Sequence, residues 1–481
     1  MKKTIAVLFL LCTLLGLLAS CKDDKTPIQT QDSETGENKE ISDNLPSVDM
    51  DGFEIRFYTN NADSFKWAEI TIAPETDITG VELHDAMYER NSYIEERFDC
   101  AITVTENQSG MITQAQIQNF ALGGDTSTSP HVIMCYDKWV MDSVECFRSW
   151  GEVPYISVGE EYWNPGLSSL YNINGKQMAL SGSFALGMLS RTNIMVFNKY
   201  MYEQYFGDVD SMYDLVYKNE WTIEKLYELA AQVMLSQDDV WDETDQVGIT
   251  ASKKELYTTL MVGCGIHFVQ PDESNTLKFT LPSDAYAKEK MEKLLLLNQD
   301  NDIYFDTSSD IHTAAPENMF EEGRSLFAIR SLFSVPTIRA MMEQEFGILP
   351  VPKYNSEQQS FYSIAYGGDM ACLMMNVKDT DLENIGIIME ALTFESQQTL
   401  IPLYKYRLLK TRFASDVESS AMLDIVFETT VSDFGINALE DTITVPMIQQ
   451  VFAPEKNMIS SMLSGLSSIH RELSKLLEKI Q

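Results

Sequence analysis

Three short apolar runs, separated by stretches of helical spacing, constrain this chain more than any other feature. Phe53, Ile55 and Phe57 alternate with polar neighbours, which predicts a strand because successive strand side chains face opposite ways. Leu83, Met87, Ile94 and Phe98 then recur at helical spacing, and Ala101 to Thr105 reads as a second strand. Met111 to Leu122 predicts another helix, closed by Gly123-Gly124, and His131 to Tyr136 a third strand. The order is βαβαβ. Strands alternating with helices of this size predict an α/β lobe on a parallel, doubly wound sheet with right-handed crossovers, with ligands at the C-terminal ends of the strands.

The pattern resumes further on. A strand is expected around Ile194 to Asn198, a helix opened by Thr222, and helices near Lys253 to Val262 and Ser283 to Leu297. Pro316 leads a helix-like Glu317 to Gly323, followed by strands at Ser325 to Arg330 and Phe346 to Pro350, where Pro350 and Pro352 break regular structure. Asp369 to Asn376 reads as an apolar strand and Glu383 to Phe394 as a helix. Leu466, Ile469, Leu473, Leu476, Leu477 and Ile480 mark an amphipathic terminal helix. At roughly 150 residues per domain, 481 residues suit two or three units, and 44% apolar residues can fill their cores. No internal repeat is visible.

The N-terminus carries an address. Lys2 and Lys3 precede an apolar run from Ile5 to Leu18, which at about 1.5 Å per residue reaches only about 21 Å, short of a roughly 30 Å hydrocarbon core. Residues 1–20 are therefore expected to be a signal peptide. Leu18-Ala19-Ser20-Cys21 resembles the bacterial lipobox, which implies cleavage before Cys21 and acylation, palmitate included, of that residue. Two or three acyl chains at about 0.8 kcal/mol per buried methylene hold a protein stably at a membrane. The alternative is an ordinary secreted protein with a chance cysteine. Residues 21–50 carry eight Asp/Glu from position 23 to 49 and few apolar side chains, which predicts a disordered acidic tether with a reach of about 30 Å.

Composition excludes several classes. A net charge of −37 and the lack of a basic stripe argue against nucleic acid, whose phosphates are gripped by Lys and Arg. Cys100, Cys135, Cys146, Cys264 and Cys372 are odd in number and lack CxxC spacing. They suit neither a disulfide framework nor zinc. Cys135 and Cys146 can pair in an oxidising compartment, though buried thiols are the commoner fate. His84, His131, His267, His312 and His470 show no ligand spacing, and Asp208-Val-Asp210 and Asp300-Asn-Asp302 lack the glycine and closing Glu of a calcium loop. No metal and no cofactor is expected. Neither GxSxG, a phosphate loop nor a dinucleotide fingerprint occurs, and acidic pairs such as Glu160-Glu161 are read as solvated faces.

Four stretches carry a resemblance over most of the chain after the tether: Met87 to Phe98, Gly175 to Ser181 with Ile194 to Lys199, Trp221 to Leu226, and Asn318 to Ala328 followed by Phe346 to Lys353. In this order they resemble the extracellular solute-binding proteins of family 1, the maltose-binding-protein-like receptors of ABC importers. The resemblance implies two doubly wound α/β lobes joined by hinge crossover strands, the periplasmic-binding-protein fold of type II. It places the crossings near Leu180 to Arg191 and Lys353 to Tyr366, with a third return after about Lys410. The N-lobe then comprises residues 51–180 and 366–410, and the C-lobe 181–365 and 411–481. The implied function is capture of an extracellular carbohydrate, an oligosaccharide, and its delivery to ABC permease subunits, without catalysis. The protein would be a monomer, lipid-anchored at the extracellular face of the bacterial cytoplasmic membrane. Left open are a non-sugar solute on the same fold, a surface glycan-active enzyme and an adhesive lipoprotein.

Sugars present apolar C–H faces and polar rims, so their sites combine aromatic platforms with carboxylate, amide or guanidinium groups. Tyr136, Asp137 and Trp139 close the third strand where a doubly wound sheet aims at the cleft, although Trp139 can equally cap the next helix as core. Asn60 and Asn61 end the first strand, as ligand contacts or as a plain turn. Phe184 lies in the first crossing, near a family position that stacks on sugar, and Arg330 and Phe333 fall where relatives carry an aromatic platform. Tyr366 and Asp369 flank two glycines that open the returning strand, the alternative being a tight hinge turn. Trp150, Trp163 and Tyr171 are expected to pack.

Overall fold

In a computed structural model of the protein, the structure describes residues 42–61, 72, 81–123, 128–236, 244–271, 277–280, 287, 289–294, 304–306, 319–365, 368–414, 416–446, 448, 471 and 475. The expected signal peptide, Cys21, Tyr366 and the terminal amphipathic helix lie outside them, apart from Arg471 and Lys475. Contacts divide the chain into Met1–Ser42 and Asp43–Gln481, and the fold below is that of the second unit.

In chain order, a first sheet takes β1 (Phe53–Thr59), β2 (Cys100–Glu106), β3 (Val132–Tyr136) and β4 (Phe147–Arg148). A second takes β5 (Asn193–Asn198), β6 (Val247–Ala251), β7 (Tyr304–Asp306), β8 (Ser325–Ser331) and β9 (Phe346–Leu349). The chain then passes through β10 (Ser363–Ile364) to β11 (Asp369–Met374), which joins the first sheet, and later through β12 (Thr430–Val431). The strand orders are β2-β1-β3-β11-β4 and β7-β6-β8-β5-β9. Every residue of β3, β5 and β11 is buried. Central strands covered on both faces read as continuous apolar runs, which is why these three stood out in the sequence.

The expectation of parallel sheets needs correction. Pairs β1–β2, β1–β3, β6–β7 and β6–β8 are parallel, but β11 is antiparallel to β3 and β4, and β5 to β8 and β9. Both reversed strands are the first to follow a crossing. Each enters its sheet at the end where its neighbours finish, so Asp369 pairs with Tyr136 and Asn193 with Ser331. The crossing segments lie side by side: Leu180 bridges Ala371, Thr192 bridges Ala365, and β10 runs parallel to β12.

Helices fill the intervals. Glu82–Phe98 buries Leu83, Met87, Ile94 and Phe98, the predicted stripe. Thr222 opens Ile223–Gln232 by accepting from the Lys225 amide, which satisfies one of the orphan donors of a helix start. The predicted helix-like segment before β8 is, over Met319 to Gly323, a hydrogen-bonded turn. Gly323 sits there at φ 78, a left-handed conformation that ends rather than extends a helix. Residues 43–50, assigned by composition to the tether, are held to the body. Arg97 pairs with Asp43, the Met50 amide donates to the Phe98 carbonyl at 2.8 Å, and Met50 is buried. Leu45, Val48 and Met50 supply the apolar surface that the preceding residues lack.

Trp150, Trp163 and Tyr171 pack in the interior as expected, and Cys100, Cys135, Cys146, Cys264 and Cys372 are buried free thiols. Among the described residues no helix is long and apolar enough to cross a membrane.

Candidate functional site

The ends of β1 and β3 and the start of β11 converge. Asn60 follows β1 and is buried. Its Oδ1 accepts from the Ile112 amide at 2.7 Å, which fixes the side-chain amide so that Nδ2 donates to Asp369 Oδ1 at 2.7 Å. Asp369 is fully buried, and its second oxygen, Oδ2, has no hydrogen-bond partner. Burial pushes its carboxyl pKa up to about 7, against the opposing effects of the Asn60 bond and the Arg191 charge. Across the ladder stands Tyr136, whose ring has the Arg191 guanidinium at 5.8 Å and the Lys138 ammonium at 5.9 Å.

Immediately after β3 the chain turns into the helix Asp137–Asp142, its first amide tied to the Gly368 carbonyl at 3.0 Å. A Cβ on Gly368 would stand 2.2 Å from Met188 Sδ, so glycine lets Met188 pack against this turn. Asp137 is buried and accepts at Oδ2 from Asn437 Nδ2 at 3.0 Å. Trp139 is half-buried, with Lys138 Nζ 4.8 Å from its ring and an indole N–H that is buried without a partner. The unpartnered oxygen of Asp369 and the lone donor of Trp139 each forgo a hydrogen bond of about 1 kcal/mol net. Both suit a polar ligand.

Further polar groups stand at the strand ends of the second sheet. Asn193 opens β5, donates to Thr259 Oγ1 at 2.9 Å and accepts from Ser331 Oγ at 2.9 Å at the end of β8. Ser252 caps Lys253–Gly263 directly after β6. In that helix Lys254 pairs with Glu440. Burial alone would lower the Lys254 pKa, but the charge and hydrogen bond of Glu440, with a smaller effect of Tyr136, raise it above the ordinary lysine value.

The structure thus brings Asn60, Tyr136, Asp137 and Asp369 together, with Trp139 in the next turn. Other candidates lie elsewhere or differently. Asn61 donates to Glu106 Oε2 at 3.2 Å, at the end of β2. Phe184 is 1% exposed, its ring 5.8 Å from Trp163 and its carbonyl held by Arg90 at 3.0 Å, so it presents no open face. Arg330, near the end of β8, is engaged by the Glu321 carboxylate at 3.2 Å, and Phe333 is half-buried in the turn Leu332–Ser334. Lys254, Asn437, Glu440 and Asp441 escaped the sequence reading. Lys254 had a signal, a serine cap straight after the apolar run Val247–Ala251. The other three fall on short segments with no periodicity. Among the described residues no group of three His, Cys, Asp or Glu gathers as a metal site.

No family model and no curated protein matches the sequence. Solved structures do. The cyclic α-maltosyl-1,6-maltose binding protein of Arthrobacter globiformis aligns with TM-score 0.59 and 14% identity over 88% of this chain and 100% of its own. A cyclo/maltodextrin-binding protein complexed with maltotetraose aligns with TM-score 0.58 and 11% identity over 87% and 97%. UgpB of Mycobacterium tuberculosis in complex with glycerophosphocholine aligns with TM-score 0.52 and 12% identity over 89% and 98%. At such identities the likeness is one of fold, and it bears out the resemblance read from the sequence at that level: this chain has the type II periplasmic-binding-protein fold of these substrate-binding proteins.

Proposed function

We propose that this chain is the substrate-binding lipoprotein of an ABC importer, which captures an extracellular oligosaccharide between two lobes and hands it to a membrane permease. The observation that carries the reading is the buried, half-satisfied carboxylate of Asp369 beside Tyr136 and the unpartnered indole N–H of Trp139. A sugar offers hydroxyls that both donate and accept, and a C–H face that suits an aromatic ring. Lobe assignments of 51–180 with 366–410, and 181–365 with 411–481, belong to this proposal. So do the acylated Cys21, the acidic tether, the monomeric state and the extracellular face of the membrane.

A thermal-shift screen followed by calorimetric titration tests the ligand class. The ligand that binds stabilises by about 2.7 kcal/mol at a hundred times its Kd, and Trp139→Ala is expected to weaken it by about tenfold, roughly 1.4 kcal/mol. If no sugar raises the melting temperature, or Trp139→Ala leaves affinity unchanged, the reading fails. The match to a glycerophosphocholine-binding protein supports a second reading, a polar non-sugar solute. Stabilisation by glycerophosphodiesters and not by sugars would favour it. Anchoring has its own test: palmitate labelling of the expressed chain is expected and is expected to vanish in Cys21→Ser.

A further inference from the structure

A short segment after β12 touches the candidate site from both sides. Asn437 is buried, and its Nδ2 donates to Asp137 Oδ2 at 3.0 Å and to the Ala365 carbonyl at 3.2 Å, while its Oδ1 accepts from the Asp433 amide at 3.2 Å. Ala365 lies in the second crossing, bridged to Thr192 just after the first and bonded through its own amide to the Val431 carbonyl of β12 at 2.9 Å. One side-chain amide therefore joins the place where the first two crossings meet β12 to the carboxylate that follows β3. Three residues on, the same segment reaches both sheets. Glu440 pairs with Lys254 in the helix after β6, and Asp441 with Lys138 at 3.2 Å in the helix after β3.

We propose that Asn437, Glu440 and Asp441 are positioning residues: a polar strap that holds Asp137 and Lys138 of one lobe in register with Lys254 of the other and so sets how far the site stands open. The inference rests on the two-lobed binding reading, and its test is arranged so that either can fail alone. The two ion pairs differ in kind. The Glu440 side chain is 6% exposed, though Lys254 is 41% exposed, so their pair is screened less by salt than that of Lys138 with Asp441, whose side chain is 68% exposed. Breaking the first is therefore expected to act at any ionic strength, and the second chiefly at low salt.

The test is small-angle scattering of the ligand-free full chain carrying Lys254→Glu, Glu440→Lys or both, with melting followed by circular dichroism. Each single reversal is expected to shift the radius of gyration upward, and the double reversal to return it to the wild-type value. Lys138→Glu and Asp441→Lys, at the pair whose acidic partner is exposed, are expected to give the same shift in low salt and none in high salt, and the two together to restore the wild-type value. A radius unmoved by all four single variants, or not restored by either double variant, overturns the strap. Failure of every solute in the ligand screen would overturn the binding reading while leaving this comparison intact, since no ligand enters it.

Discussion

Gly386→Ala is expected to cost about 3 kcal/mol or more of unfolding free energy, the scale of a backbone collision rather than of a side-chain adjustment. A Cβ at this position would lie 2.0 Å from the Pro154 carbonyl oxygen and 3.0 Å from Val153 Cγ1. Two effects oppose each other. Gly386 sits inside the helix Leu382–Gln398, where alanine is the better helix former by about 1 kcal/mol. The collision outweighs that gain, because its nearest atom is backbone and no rotamer change relieves it. The helix must then withdraw from Val153 and Pro154. One turn on, it carries Glu390, whose carboxylate accepts from the Ser157 amide at 3.0 Å, the Tyr162 hydroxyl at 2.8 Å and the Trp163 indole N–H at 2.7 Å. Trp163 in turn packs on Phe184 in the first crossing, so the disturbance reaches the segment that joins the two sheets. Urea denaturation should show a lowered midpoint with an unchanged slope. A variant as stable as the wild type would show that helix and loop separate freely, and that this route to the crossing carries no load.

The strand and helix order was legible because apolar periodicity is a local property, set by which faces are covered. Fully covered runs such as Ile194 to Phe197 announce central strands without any knowledge of their neighbours. Strand direction was not legible, since a run of buried residues reads the same whichever way it enters the sheet. Only the crossing that precedes β5 and β11 reverses them. The same division holds at the site. Asp369 was legible from two glycines opening an apolar strand, and Tyr136 and Asp137 from the end of another. Asn437 was not, because it matters only through Asp137, a residue 300 positions away. Phe184 shows the limit of carrying a position over from relatives. Its backbone lies in the crossing, but Trp163 and the Arg90 hydrogen bond enclose it. Residues 43–50 show that of composition: the eight acidic residues of 21–50 mark a solvated segment, yet Leu45, Val48 and Met50 suffice to dock its end.

Asp369→Asn is expected to stabilise the protein above neutral pH and to abolish most of its ligand affinity. The folded carboxyl keeps its proton up to about pH 7, whereas the unfolded chain releases it near the ordinary aspartate value of 3.8. Between those values the folded state binds more protons, so the group's contribution to stability is complete below about pH 4, declines as pH rises through about 7, and stays at its lower level beyond. Each pH unit of that interval is worth about 1.4 kcal/mol, so a few kcal/mol are forfeited at pH 8. Asparagine does not titrate and retains an oxygen for the Asn60 amide, so the variant should lack this slope and melt higher than the wild type at pH 8. Thermal melts from pH 4 to 8 read it directly, and an unchanged slope would mean that another group titrates there. Affinity decides what the stability cost is for. The burial that disfavours the charge also strengthens any hydrogen bond a ligand hydroxyl makes to Oδ2, so a stabilised variant that binds at least about tenfold more weakly, roughly 1.4 kcal/mol, marks strain kept for function. A stabilised variant with intact affinity would instead place the ligand elsewhere and leave Asp369 as a polar defect at the start of β11.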